Sequence, residues 1–131
     1  MMLKKILLAE DDSDDQKLFY DFLQDRTDVL LMPVAENGVA LVETLEQLND
    51  TNDFPDLIIL DQNMPKRNGL QTLQLLKQHQ RYAHIPVALY STYTDAQLIN
   101  SSTAIGACAV LNKPITKEGY HAMLDAFLQH T

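Results

Sequence analysis

The chain has 131 residues, 46% apolar and 21% charged, which is ordinary for one globular domain with room for a proper core. Ten basic against 18 acidic side chains leave a net charge of −8, which argues against nucleic acid or an anionic membrane surface as the partner. A single cysteine, Cys108, rules out an internal disulfide, and no apolar run approaches the length of a signal peptide core or a membrane span, so a cytoplasmic protein is expected.

Taken in order, Lys4 to Ala9 reads as strand one, with Ile6, Leu7 and Leu8 contiguous and apolar. Ser13 with Gln16 three residues on suggests a capping box, and Leu18, Phe19, Phe22 and Leu23 give the helix that follows one apolar stripe. Val29 to Ala35 reads as strand two. Pro33 inside it has no N–H for a central ladder, so this strand belongs at a sheet edge. Asn37-Gly38 turns the chain into helix two, marked by Leu41, Leu45 and Leu48, and a polar loop runs from Asn49 to Pro55.

Strand three, Leu57 to Leu60, is a short apolar run suited to burial on both faces, and it ends abruptly at Asp61. Asn68-Gly69 opens helix three, with Leu70, Leu73 and Leu76 on one face. Strand four is Val87 to Tyr90. Thr94 is placed to cap helix four, which carries Leu98 and Ile99 but also Asn100, Ser101, Ser102 and Thr103, all modest helix formers, so it is expected to be the most mobile helix. Strand five is Ala107 to Leu111, around the cysteine, whose small and apolar neighbours suggest a buried, inert thiol. Helix five has Tyr120, Met123, Leu124, Phe127 and Leu128 at helical spacing.

Strict alternation of strand and helix predicts an α/β fold, a doubly wound parallel sheet of five strands with helices on both faces. Strand two at the edge fits the order 2-1-3-4-5, the flavodoxin-like winding. No linker or compositional break divides residues 1–131, so one domain is expected.

In that order the carboxyl ends of four strands converge on one crevice. They bring Glu10-Asp11-Asp12, Asp61, Ser91-Thr92 and Asn112-Lys113-Pro114. Crowded carboxylates repel, and a hard divalent cation such as Mg²⁺ removes the conflict. A carboxylate beside such a cation can attack a phosphoryl group, while a hydroxyl and an ammonium stabilise the developing charge. Singly, each residue has a plainer reading: Asp11, Asp12 and Ser13 as helix caps, Asp61 and Ser91 as turn residues, Lys113 as a surface charge. Together they point to an aspartate that accepts a phosphoryl group.

With these residues in place the whole chain resembles the response-regulator receiver domains of two-component signalling, in a stand-alone form similar to the chemotaxis regulator. Glu10-Asp11 matches the acidic pair, Asp61 the phosphoacceptor, and Asn63 the position whose backbone carbonyl binds the metal. Met64-Pro65 and Gly69 match the loop that follows, Ser91 the hydroxyl, and Lys113-Pro114 the lysine and a proline whose peptide bond is usually cis. The resemblance implies that Asp11 and Asp61 bind Mg²⁺ directly, with Glu10 acting through a water. It further implies that Asp61 takes a phosphoryl group from a histidine kinase or phosphotransfer protein, and that Ser91 and Lys113, with Thr92 beside them, hold its oxygens. Movement of the Ser91 hydroxyl is then the switch, read by a downstream target protein on the face of helix four, strand five and helix five. Such a protein is not an enzyme beyond gaining and losing its own phosphoryl group, and would be a monomer or weak dimer without an output domain.

One departure matters. The family usually places Tyr or Phe three residues before the lysine, where this chain has Val110. Tyr90 and Tyr93 are the rings available to substitute, Tyr90 reading more simply as a strand residue. Val110 also supports an alternative, a receiver-like interaction module indifferent to phosphate. A phosphohydrolase with an aspartyl-phosphate intermediate is less well matched, because Asn63 stands where a second aspartate would serve as acid. A nucleotide binder is less well matched still, since no glycine-rich loop follows strand one. The four histidines, 79, 84, 121 and 130, form no metal-ligand spacing.

Overall fold

A computed structural model describes residues 3–131. Five parallel strands form one sheet in the order β2-β1-β3-β4-β5. They are β1 (Lys4–Ala9), β2 (Val29–Leu31), β3 (Leu57–Asp61), β4 (Val87–Ser91) and β5 (Ala109–Asn112). Between and after them run α1 (Ser13–Leu23), α2 (Gly38–Glu46), α3 (Gly69–Gln78), α4 (Ala96–Ile105) and α5 (Lys117–Leu128). The expected flavodoxin-like winding is the one observed.

Successive residues of the central strands point to opposite faces. Leu7, Ile58, Leu60, Val87 and Leu89 therefore pack with Leu41, Leu45, Leu73 and Leu76 of α2 and α3. Ile6, Leu8, Leu57, Ile59, Ala88 and Tyr90 pack with Phe19 of α1 and with Tyr120, Leu124 and Phe127 of α5. Every residue of β3 and β4 is buried, which is why their sequences run apolar without alternation.

Pro33 acts on the edge strand as its chemistry requires. The continuous ladder of β2 stops at Leu31, short of the Ala35 expected from sequence. Met32 N–H still donates to the Ile6 carbonyl at 2.8 Å and Ala35 N–H to Leu8 at 2.9 Å, so pairing resumes beyond the proline as one bridge at Ala9. Strand five likewise begins at Ala109 rather than Ala107, because Ala107 N–H is taken by the Ser102 carbonyl at the exit of α4. Gly106 makes that exit, at φ 126°, in the left-handed region that suits glycine.

Two helix starts differ from the sequence reading. Asp12, not Ser13, caps α1, its carboxylate accepting from the N–H groups of Asp14 and Asp15. Gln16 reaches back to the Glu10 carbonyl at 2.6 Å instead of closing a box with Ser13. Asp95 rather than Thr94 caps α4, accepting from Leu98 N–H at 2.8 Å, while the Thr94 hydroxyl donates to Asn112 Oδ1. In both places two capping residues adjoin, and the carboxylate takes the helix N–H groups because a charged acceptor bonds them more strongly. Asn68 and Gln71 form a true capping box at α3. The Lys113–Pro114 peptide is trans, the lower-energy isomer, against the cis bond the resemblance implied.

Candidate functional site

Glu10 follows β1 directly and is fully buried, its N–H held by the Ala35 carbonyl at 2.9 Å. Asp61 closes β3 and is 2% exposed. The chain then loops through Lys66, at φ 66°, and returns at Gly69 against the strand it has left. A side-chain carbon on Gly69 would lie 2.7 Å from the Asp61 carbonyl oxygen, so only glycine lets α3 begin close enough to frame Asp61. Lys113 is brought in from β5, its N–H donating to the Ser91 carbonyl at 2.8 Å.

The ends of β1, β3 and β5 bring their charged side chains together. Lys113 Nζ lies 3.3 Å from Asp61 Oδ1 and 3.0 Å from Glu10 Oε1. Carboxylate oxygens of Glu10, Asp11 and Asp61 all fall within 4.8 Å of one another. Asp11, Asp12, Asp61, Asn63, Thr92 and Lys113 line one surface depression over this cluster. Asn63 N–H approaches Asp61 Oδ1 at 3.4 Å. Ser91 ends β4, buried, and its hydroxyl has no hydrogen-bond partner among the described residues.

Two participants were not legible as such. Asp15, in the first turn of α1, gives Lys113 its shortest ion pair, 2.8 Å. Its signal was its place three residues after the capping Asp12, which points it back over the sheet edge. Tyr90 donates its hydroxyl to Glu10 Oε1 at 2.5 Å. No sequence signal separated it from an ordinary strand residue, because β4 is buried on both faces.

The electrostatics follow from burial. Desolvation, with Glu10 beside it by hydrogen bond and by charge, pushes the Asp61 carboxyl up to about 8, and Lys113 offsets only part of this. Burial alone would lower the Lys113 ammonium, yet hydrogen bonds to Asp15 and Glu10 and the charges of Glu10 and Asp61 hold it above the usual lysine range. Burial and the Glu10 charge keep the Tyr90 hydroxyl protonated far above ordinary tyrosine.

The site thus holds more negative charge than one ammonium neutralises, and its free donors are carboxylate oxygens in a shallow, open depression. A hard divalent cation fits that set, and one that retains several waters fits it best. Elsewhere, His79 and His84 are exposed, away from this edge, and Cys108 is half-buried, its thiol pushed up by burial. Among the described residues no helix is long and apolar enough to cross a membrane.

Known proteins share both sequence and fold with this chain. It is 33% identical over 127 residues to the 3',5'-cyclic-nucleotide phosphodiesterase regA of Dictyostelium discoideum, an overlap covering 95% of this chain and 15% of that protein. It spans 53% and 62% of two shorter curated relatives, the probable C4-dicarboxylate response regulator DctR of Bacillus subtilis and the response regulator Rcp1 of Synechocystis, at 29% and 33% identity over 96% and 68% of this chain. The solved Mn²⁺-bound form of a response regulator Rcp1 superposes with a TM-score of 0.75 at 28% identity, covering 97% of this chain and 88% of that one. The phosphorylated cyanobacterial phytochrome response regulator RcpA gives 0.82 at 25% identity, covering 98% and 93%. Residues 6–125 match the response regulator receiver domain, and this chain belongs to that family.

Proposed function

We propose that this receiver domain accepts a phosphoryl group on Asp61 from the phosphohistidine of a histidine kinase or phosphotransfer protein, with Mg²⁺ bound, and signals by contact with a target protein. The observation that carries the proposal is the juxtaposition of a buried Asp61 with Lys113 and two further carboxylates at the carboxyl edge of the sheet. An Asp61 oxygen attacks phosphorus, the donor's N–P bond breaks, and the electron pair leaves with the histidine nitrogen. Lys113 is within reach of both the attacking carboxylate and the oxygens of the incoming group, whose charge its ammonium stabilises. Asp11 and Asp61, the Asn63 carbonyl, and Glu10 through a water would hold Mg²⁺, which supplies charge neutralisation to the phosphoryl oxygens. Thr92 stands at the rim beside the path of a water that would later hydrolyse the acyl phosphate.

Ser91 supplies the switch. A buried hydroxyl without a partner costs about 1–3 kcal/mol, and a phosphoryl oxygen next to it offers the missing bond. Ser91→Ala is therefore expected to leave the melting temperature of the unmodified protein unchanged or slightly raised, while weakening retention of beryllofluoride. Calorimetry and a beryllofluoride titration check the two halves. Val110 is half-buried and carries no ring to rotate, so readout rests on the surface itself. Tyr93 and Ile115 are 73% and 90% exposed, and Ile99 and Leu111 are also exposed, giving the α4–β5–α5 face apolar contacts for a target or a weak dimer partner.

The proposal is tested by adding beryllofluoride, which mimics the acyl phosphate, and following backbone amide resonances. Mg²⁺-dependent shifts at Asp61, Ser91 and Lys113, absent in Asp61→Asn, support it. A spectrum unmoved at saturating Mg²⁺ and beryllofluoride contradicts it. Val110 favours one second reading, a module that docks without phosphate, for which target binding would be unchanged in Asp61→Asn.

A further inference from the structure

Tyr90 occupies a position that a buried tyrosine does not need. Its ring is completely buried and held edge-on against Phe19, centroids 6.1 Å apart at 79°, and Phe19 is in turn held edge-on by Tyr120 at 5.8 Å. A phenol wedged this way requires a hydrogen-bond acceptor, and a backbone carbonyl would satisfy it. Instead the hydroxyl takes Glu10 Oε1 at 2.5 Å, and Lys113 Nζ sits 5.0 Å from the centre of the same ring. One side chain therefore touches both charged groups that flank Asp61.

The two Glu10 oxygens are used differently. Oε1 accepts from Tyr90 and lies 3.0 Å from Lys113, whereas Oε2 accepts from Asp12 N–H at 3.1 Å. A glutamate side chain has three rotatable bonds, and the Tyr90 bond at its tip joins Lys113 and Asp12 N–H in removing that freedom here. The ring beneath Lys113 restricts the ammonium in the same way, by a cation–π contact in a desolvated place. Tyr90 itself is held in place by the edge-on Phe19 ring, which Tyr120 backs.

We infer that Tyr90 is a positioning residue for the acidic site: its hydroxyl fixes the Glu10 carboxylate and its ring seats Lys113, and together they set the affinity of the site for a divalent cation. This rests on the cation-site reading above. Outer-shell partners of metal-ligating groups commonly contribute ten- to hundredfold in affinity. Tyr90 acts at the low end of that range, since Asp12 N–H and Lys113 still hold Glu10.

The test is a calorimetric Mg²⁺ titration of the wild type, Tyr90→Phe and Phe19→Leu. Tyr90→Phe keeps the ring and is expected to weaken Mg²⁺ binding about tenfold. Phe19→Leu, which loosens the packing on the Tyr90 ring but leaves its hydroxyl free to bond Glu10, is expected to lower the melting temperature and to weaken Mg²⁺ binding less than Tyr90→Phe does. In the wild type, Mg²⁺ is also expected to perturb the near-ultraviolet tyrosine band, because cation binding draws charge from the carboxylate that Tyr90 donates to. That signal should be lost in Tyr90→Phe and kept in Tyr120→Phe. Wild type that binds Mg²⁺ no better than Tyr90→Phe, or without any tyrosine difference band, overturns the assignment of Tyr90 while leaving the cation site intact. Wild type that binds no Mg²⁺ overturns both.

Discussion

Asp61→Asn is expected to abolish phosphoryl acceptance and, in the absence of divalent cation, to make the protein more stable at neutral pH. The first effect follows from removing the nucleophile, since an amide oxygen does not form a stable acyl phosphate. The second follows from burial. The folded protein holds the Asp61 carboxyl up at about 8 against an ordinary value of 3.8, so between those values the folded state binds more protons than the unfolded state. Stability then falls as pH rises through this window: the contribution is fully present below the unfolded value and is lost as pH climbs toward the folded one. Asparagine keeps the shape without the ionisation. The stability difference, variant minus wild type, should be near zero at pH 4 and grow steadily in the variant's favour up to pH 8. Denaturant melts of both proteins across this range check it. Saturating Mg²⁺ should shrink the difference, because the cation stabilises the ionised wild type and has less to bind in the variant. A variant less stable than wild type at pH 8 without Mg²⁺ would mean that the acidic cluster is not strained by its charge.

Lys113→Ala is expected to do the opposite to stability while also slowing phosphoryl acceptance. Its ammonium is 12% exposed and lies within 3.3 Å of three carboxylates, Glu10, Asp15 and Asp61. Removing one partner of a buried ion pair costs about 3–5 kcal/mol, because the charges left behind are uncompensated. The loss should be smallest in acid, where the orphaned carboxylates take up protons, and should be partly recovered by Mg²⁺ at neutral pH. Phosphoryl acceptance should fall at least about a hundredfold, as when one preorganised donor is lost from a transition-state site. Lys113→Arg separates the two roles. Arginine keeps the charge, so stability should largely return, but its planar fork cannot serve three oxygens as a compact ammonium does, so acceptance should stay low. Equal stability of wild type and Lys113→Ala at pH 7 would show that the three ion pairs contribute nothing net.

Most of the fold was legible because its strongest signals are physical constraints rather than preferences. Pro33 forces an edge, the apolar runs of β1 and β3 require two covered faces, and alternation with helices forces parallel crossovers. The strand ends then placed Glu10, Asp61 and Lys113 together, because the winding leaves them no other edge. What was not legible depended on competition between neighbours or on direction. Asp12 and Ser13, or Thr94 and Asp95, are both able to cap, and only the folded backbone decides between them. Strand limits around Pro33 and Ala107 turn on single hydrogen bonds. Tyr90 lies in a strand buried on both faces, so nothing in the pattern Val87 to Ser91 says which layer its ring enters or that it ends on Glu10. Asp15 was one acid among several until the first turn of α1 aimed it at Lys113.

The central claim is that Asp61 accepts a phosphoryl group, and intact-protein mass after incubation with acetyl phosphate and Mg²⁺ tests it most directly. One added phosphoryl group is predicted in the wild type, removed by base or hydroxylamine, and absent both in Asp61→Asn and when a chelator replaces Mg²⁺. An adduct that persists in Asp61→Asn, or no adduct in a folded wild type that also fails to bind beryllofluoride, would contradict it.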